Sequence, residues 1–396
     1  MPEVLQPPPK AVTRRDRFRE YMKRFNPTAS ARDAIEAGLV VDGLHQSLYQ
    51  KLAVRADLEP GSQQLIVGGV GSGKTTQLLL AVDWLRRQGN TIPLYVDVAA
   101  WTDLSRLDPG AVLAAFGVRM ANEGLNRFTL TRDEHDALLK ARDKLMEFPF
   151  EKETPEGAGR PLYHPMPVLK RHFPWARGPF DDLFSVFRKA SHAPVAVIDG
   201  LDRLLTAARF WTAVEADFAA LRERGVSVLA AAPITVLFEL GRSIPDQFDR
   251  VHHLPPLIAG PEGGVLRSVL ERRGGTDILG PSEADKICSG SGGMLRDLIS
   301  LARDAGEEAY VSGAERIGQK HTEKAVRQLG TAYLRGLGPE EIRALSQLDR
   351  TRSFDLRSDV NVQLLATRRI LEYSATDFRV HPALLPLIPQ AELRVA

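Results

Sequence analysis

Residues 65–77 read LIVGGVGSGKTTQ, and their types and spacing are suited to holding phosphate. Gly68-Gly69-Val70-Gly71-Ser72-Gly73-Lys74-Thr75 fits G-x-x-x-x-G-K-[ST], with an apolar run before it and an amphipathic run after it. Glycines let the backbone turn so that its N–H groups face one centre. The helix that follows adds its positive N-terminal end, so a polyphosphate is held largely by main chain. Lys74 is placed to neutralise the terminal phosphates and the Thr75 hydroxyl to ligate Mg²⁺. Gly68, Gly69, Val70, Gly71, Ser72, Gly73, Lys74, Thr75 and Thr76 are therefore the candidate nucleotide contacts. A glycine-rich turn that merely precedes Lys-Thr would not need strand, loop and helix in this order.

The second chemical element is Asp199, which closes the apolar stretch PVAVID. An acid at the end of a buried strand can hold Mg²⁺ through water beside the Thr75 hydroxyl; its competing role is a helix N-cap. Gly200 follows, so the position directly after Asp199 has no side chain. Asp202 is the remaining candidate for orienting an attacking water, or else a cap for the next helix. His252-His253 do not make a metal site, because adjacent strand residues point to opposite faces. Cys288, the single cysteine, rules out a disulfide framework and reads as packing.

The elements that must position these groups follow from periodicity. Buried strands are expected at 64–67, 92–98, 194–199, 226–230 and 251–254, with helices at 75–87, 104–122, 131–146, 180–190 and 211–224 between them. Alternation of this kind predicts an α/β fold, a three-layer parallel-sheet P-loop NTPase domain. After Pro256 the pattern turns helical at 264–273, 282–289, 294–311 and 322–337, expected as a helical lid. Helices at 339–348 and 361–367, then 369–374, a turn and a strand at 378–380, read as a C-terminal winged helix-turn-helix. Residues 148–179 form a Pro-rich insertion with Lys170, Arg171, His172, Phe173, Trp175 and Arg177. It has two readings: stacking on nucleic acid or a protein, or a surface excursion whose aromatics tuck onto the core. The expected domains are a basic N-terminal arm over 1–30, the P-loop domain over 31–258, the lid over 259–330 and the winged helix over 331–396.

At 396 residues and 43% hydrophobic content the chain has material for two or three cores. Its net charge of +2 excludes general affinity for nucleic acid, so any such binding needs a local patch. The cluster Lys10, Arg14, Arg15, Arg17, Arg19, Lys23 and Arg24 reads first as a solvated tail, second as an arm for nucleic acid or a partner. No apolar run is long enough to span a bilayer and the start lacks a signal-peptide pattern, so a cytoplasmic protein without membrane contact is expected.

GGVGSGKTT, VAVIDGLDRL, SGSGGMLRDLISLARDA and the winged-helix-like tail together resemble the AAA+/STAND group of P-loop ATPases, including NACHT-like and origin-initiator-like members. The resemblance implies ATP and Mg²⁺, a lid that closes over the nucleotide, and homo-oligomers in which an arginine reaches a neighbour's site. It places Arg296 where a lid arginine contacts the γ-phosphate, against a simple ion pair with Asp297. It places Arg250 or Arg242 as the arginine acting in trans, with Arg250 preferred. Ala230-Ala231-Ala232 stand where a polar sensor is expected, leaving Thr235 as substitute. With Gly200, this implies slow hydrolysis. No NKxD element is visible, so ATP is the expected nucleotide. The leading expectation is an ATP-dependent conformational switch with a protein partner in trans and, by resemblance alone, a place in bacterial defence. The rivals are a DNA-dependent AAA+ ATPase using Arg368, Arg369 and Arg379, and a scaffold that binds ATP without hydrolysing it.

Overall fold

A computed structural model describes residues 12–41, 43, 45, 47–148, 171–204, 206–238, 247–258, 264–274 and 277–388. Arg242, residues 149–170 of the Pro-rich insertion and the segments 1–11 and 389–396 lie outside the described residues. The chain divides into two compact units. One is Gly43–Pro255 with Phe354–Ser374; the other is Met1–Asp42, Pro256–Ser353 and Ala375–Ala396.

The first unit holds a parallel sheet of β1 (Gln63–Val67), β2 (Thr91–Asp97), β3 (Ala193–Asp199), β4 (Ser227–Ala232) and β5 (Arg250–His253), in the order β2-β3-β4-β1-β5. Every residue of β1 and β4 is buried, as continuous apolar strands require when both faces are covered. On one face Ile66, Val197, Leu229 and Ala231 pack against Leu52, Leu78, Val82 and Leu85 of the helices Leu48–Leu58 and Lys74–Gln88. Helices Ala111–Arg127, Pro174–Lys189 and Ala207–Glu223 contact β2, β3 and β4, completing the three-layer α/β architecture. Each large aliphatic side chain withdrawn from water contributes about 1.5–3 kcal/mol. Helix Lys74–Gln88 ends at Gly89, whose φ of 77° gives the left-handed cap that glycine adopts without strain.

Two helices differ most from the periodicity. The one expected at 104–122 starts at Ala111, because Gly110 has φ 97° and a fully buried carboxylate, Asp217 from helix Ala207–Glu223, accepts from Gly110 N at 2.6 Å and Leu113 N at 2.9 Å. The one expected at 180–190 starts at Pro174, where proline's missing N–H costs no helical bond. Before it, Phe173 is buried, and Phe148, Phe173 and Trp175 surround Gly110, where an added Cβ would meet each ring at 3.0–3.2 Å. For these three rings the tucked-in reading of the insertion holds.

Within the same unit, helix Asp359–Ala366 packs on the short turn Ile234–Phe238, and Glu372 of strand Ile370–Ser374 lies 3.5 Å from His253. His252 lies 3.4 Å from Gln64 Oε1.

The second unit is helical: Gly264–Gly274, Pro281–Gly290, Leu295–Val311, Gln319–Leu334 and Pro339–Thr351, followed by strand Asp377–Val380. The expected solvated arm is corrected over its second half. Residues Arg14–Arg24 form a helix, started by a Thr13–Asp16 capping box, that buries Phe18 and Tyr21. Tyr21 Oη donates to Ala302 O at 3.0 Å. Arg14 donates to the carbonyls of Ala309, Tyr310 and Ala314, and Arg17 pairs with Asp277 and Glu315. Of residues 331–396, 331–353 and 375–396 belong to the second unit and 354–374 to the first.

Burial pushes Asp217 and Glu372 each up to about 7, and for Asp217 the backbone N–H groups pull in the opposite direction. A carboxylic acid whose folded pKa exceeds its unfolded value binds more protons when native, so stability falls as pH rises between about 4 and 7. Urea unfolding at pH 5 and pH 8 is expected to show this loss. Asp217→Ala is expected to lower stability by about 2–5 kcal/mol, since two buried N–H groups lose their acceptor.

Candidate functional site

The phosphate loop leaves the C-terminal end of β1 and enters helix Lys74–Gln88. Gly71 and Gly73 have φ of 88° and 107°, which only glycine adopts at little cost. At Gly68 a Cβ would stand 2.6 Å from Leu254 O, so the close approach of β5's end excludes any side chain there. His45 supports the loop from behind, its Nε2 lying 3.2 Å from Ser72 O. Because that partner is a carbonyl, Nε2 carries the proton, and burial holds the ring below the ordinary histidine pKa, so it stays neutral.

Lys74 is 2% exposed. A buried ammonium is tolerated only when its donors are satisfied, and Nζ has three. They go to Gly68 O at 2.7 Å, Gly69 O at 2.9 Å and Asp202 Oδ2 at 2.9 Å. Asp202 thus stands on the lysine.

Asp199, 4% exposed, accepts from Tyr95 Oη at 2.7 Å through Oδ2 and from Gly200 N at 2.8 Å through Oδ1, and the Thr75 hydroxyl bonds to it as well. Burial raises its pKa; Tyr95, Thr75 and Gly200 lower it, while Asp202 nearby raises it further. Thr75 and Asp199 are hard oxygen donors in contact, which suits Mg²⁺ bound by one hydroxyl, one carboxylate through water, and substrate phosphates. Among the described residues no group of three His, Cys, Asp or Glu is placed to hold a metal ion. The chain's own contribution is to hold these oxygens in place; bound Mg²⁺ would neutralise phosphate charge.

Lys74, Thr75, Asp199 and Asp202 are therefore brought together. Arg250 is not: it is exposed at the first position of β5, opposite Gln64, whereas the phosphate loop follows Val67, paired with His253 at the far end of that strand. Arg296 is exposed near the start of helix Leu295–Val311 in the other unit. Its neighbour Asp297 turns inward, accepting from Tyr333 Oη at 2.7 Å with buried His381 at 3.4 Å, so Asp297 is engaged from the core side. Thr235 is buried just beyond β4, and its hydroxyl has no hydrogen-bond partner.

Tyr95, His45 and Asp97 escaped the sequence reading. In IPLYVDV a tyrosine counts as a strand former, and only the register, which sets Tyr95 beside Val197 and Asp97 beside Asp199, shows that both stand at the acid's end of the sheet.

Sheet order, loop and acid define a P-loop α/β domain with a helical C-terminal part. No protein-family model and no curated protein matches the chain. Solved structures similar to it include the Aeropyrum pernix ORC2 protein in ADPNP–ADP complexes, 16% identical, covering 88% of this chain and 93% of that one with a TM-score of 0.44. The Aeropyrum pernix ORC1 protein in complex with DNA is 14% identical over 89% and 93%, with a TM-score of 0.46. The Thermotoga maritima RuvB Holliday junction branch migration motor is 14% identical over 85% and 91%, with a TM-score of 0.40.

Gly200 has φ 89°, and a Cβ there would lie 2.6 Å from Asp97 Oδ1. Gly200→Ala is expected to cost about 1–3 kcal/mol of stability, measured by urea unfolding, from the left-handed backbone and the displaced carboxylate.

Proposed function

We propose that the chain is a Mg²⁺-dependent ATPase of AAA+/STAND type, slow in turnover, that serves as a conformational switch. The observation that carries this reading is the cluster of Lys74, Thr75, Asp199 and Asp202 at the end of β1 and β3. In it Lys74 exchanges its carbonyl and Asp202 partners for β- and γ-phosphate oxygens, and Thr75 and Asp199 hold the metal. Slowness follows from Ala230-Ala231-Ala232, which offer no polar sensor side chain at the end of β4. Arg296 reports on the γ-phosphate, and Arg250, exposed at the first position of β5, serves a second copy's site. An arginine supplied in trans neutralises transition-state charge and makes hydrolysis depend on assembly. The partners of this reading are further copies of the chain and a protein in trans.

DNA-dependent ATPase activity is the second reading. Residues on its proposed contact surface are engaged within the chain: Arg14 and Arg17 bind 277–315, and Arg379 makes a bidentate pair with Asp377 at 2.6 and 2.8 Å. Duplex binding through such groups would need those pairs broken, with the loss of charge-assisted bonds.

Mass in solution by light scattering tests the two together, with ADP or a slowly hydrolysed ATP analogue, each with and without duplex DNA. Growth with the ATP analogue alone is expected, and Lys74→Ala should abolish it along with nucleotide binding, while Asp199→Ala should remove Mg²⁺-dependent hydrolysis. Growth only when DNA is present would overturn the switch in favour of the DNA-dependent enzyme. Normal turnover in either variant would overturn the site.

A further inference from the structure

ATP hydrolysis needs a group that orients the attacking water, and a carboxylate is one that can also take its proton. Asp199 accepts from Tyr95 and from Gly200 N through its two oxygens, and Asp202 pairs with Lys74 until phosphate oxygens displace it. Gly200 has no side chain, and its surroundings forbid one. Its φ of 89° disfavours any L-residue, and the first atom of a side chain would fall 2.6 Å from Asp97 Oδ1 and 3.2 Å from Ala99 N.

The space beside the peptide after Asp199 therefore already contains a carboxylate, supplied by the neighbouring strand. Asp97 is the last residue of β2 and stands in register with Asp199, the last residue of β3. Both side chains project from the C-terminal edge of a parallel sheet, where ligands of open α/β sheets bind. Asp97 is half-buried, and one oxygen, Oδ1, accepts from Ala99 N at 3.1 Å, which fixes the rotamer. That bond aims the group without consuming its second oxygen. A carboxylate held by one oxygen beside the peptide that follows Asp199 is the arrangement that positioning a water calls for.

We infer that Asp97, from the strand beside the Mg²⁺-binding acid, is the catalytic residue that orients the attacking water. This rests on the ATPase reading above. In the step, the water oxygen bonds to the γ-phosphorus as the bond from that phosphorus to the β–γ bridging oxygen breaks. ADP departs with that bridging oxygen, and the proton lost by water passes to Asp97 and then to solvent. Gly200 and Asp97 are two halves of one arrangement: the acid of this space is delivered from β2, and Gly200 leaves room for it. The plain structural role, a cap for the short turn Val98–Ala100, uses the same Ala99 bond and predicts a different outcome on substitution.

Asp97→Asn keeps the shape and the acceptor for Ala99 N–H, and Asp97→Ser keeps a side-chain cap by another route. Both variants are expected to unfold at the wild-type temperature and to bind the slowly hydrolysed ATP analogue with wild-type affinity. Hydrolysis should fall about 100-fold to 10,000-fold in each. A second readout is retention of ADP with aluminium fluoride, which mimics the transferring phosphoryl group with its attacking ligand in place. Wild-type protein should trap it and Asp97→Asn should not, with ADP binding alone unchanged. Wild-type hydrolysis and trapping in Asp97→Asn would overturn the assignment while leaving the ATPase reading intact. A wild-type protein that binds ATP and never turns it over would overturn both.

Discussion

A buried ammonium with three donors is the constraint on which the site depends. Lys74 cannot sit at 2% exposure without partners, and the loop supplies two of them as its own carbonyls. The backbone must curl sharply to present Gly68 O and Gly69 O to one point, which is why Gly71 and Gly73 take left-handed conformations and Gly68 has no room for a Cβ. The third partner, Asp202, comes from the turn after β3 and ties the loop to the strand that carries Asp199. Phosphate oxygens offer the lysine as many bonds with more charge, so binding is an exchange of partners in which Asp202 competes with the nucleotide.

The second acid, Asp199, is held by hydroxyls where Lys74 is held by carbonyls. Tyr95 and Thr75 fix its carboxylate from β2 and from the first turn of the loop's helix. Three strands and one helix thus converge on a few oxygens, and each element is pinned by buried apolar packing on both sheet faces. Farther away, Asp217 performs the same service for a helix, capping Ala111–Arg127 from a neighbouring element.

The loop was legible in the sequence because its function is written in consecutive residues, and Asp199 because a continuous apolar strand ends on it. The helix after the loop and the five strands followed for the same reason, since periodicity and β-branched content are local. What was not legible depends on register and on distant caps. Tyr95 and Asp97 acquire meaning only when β2 pairs with β3. Asp217 moved a helix start by supplying, from a residue remote in sequence, an acceptor that Gly110 needed. The basic run at 14–24 looked like solvated charge because its hydrophobic members, Phe18 and Tyr21, are spaced as a single narrow stripe among arginines. In the structure that stripe is buried, and Arg14 and Arg17 are engaged by nearby carbonyls and acids.

The exchange of lysine partners is tested most directly by titration calorimetry of Mg·ATP into the wild-type protein and into Asp202→Asn. Because a neutral amide at this position would hold Lys74 less strongly than a carboxylate, the variant is expected to bind about tenfold more tightly, a gain of about 1.4 kcal/mol. Absence of binding to the wild type, or weaker binding to Asp202→Asn, would contradict the account.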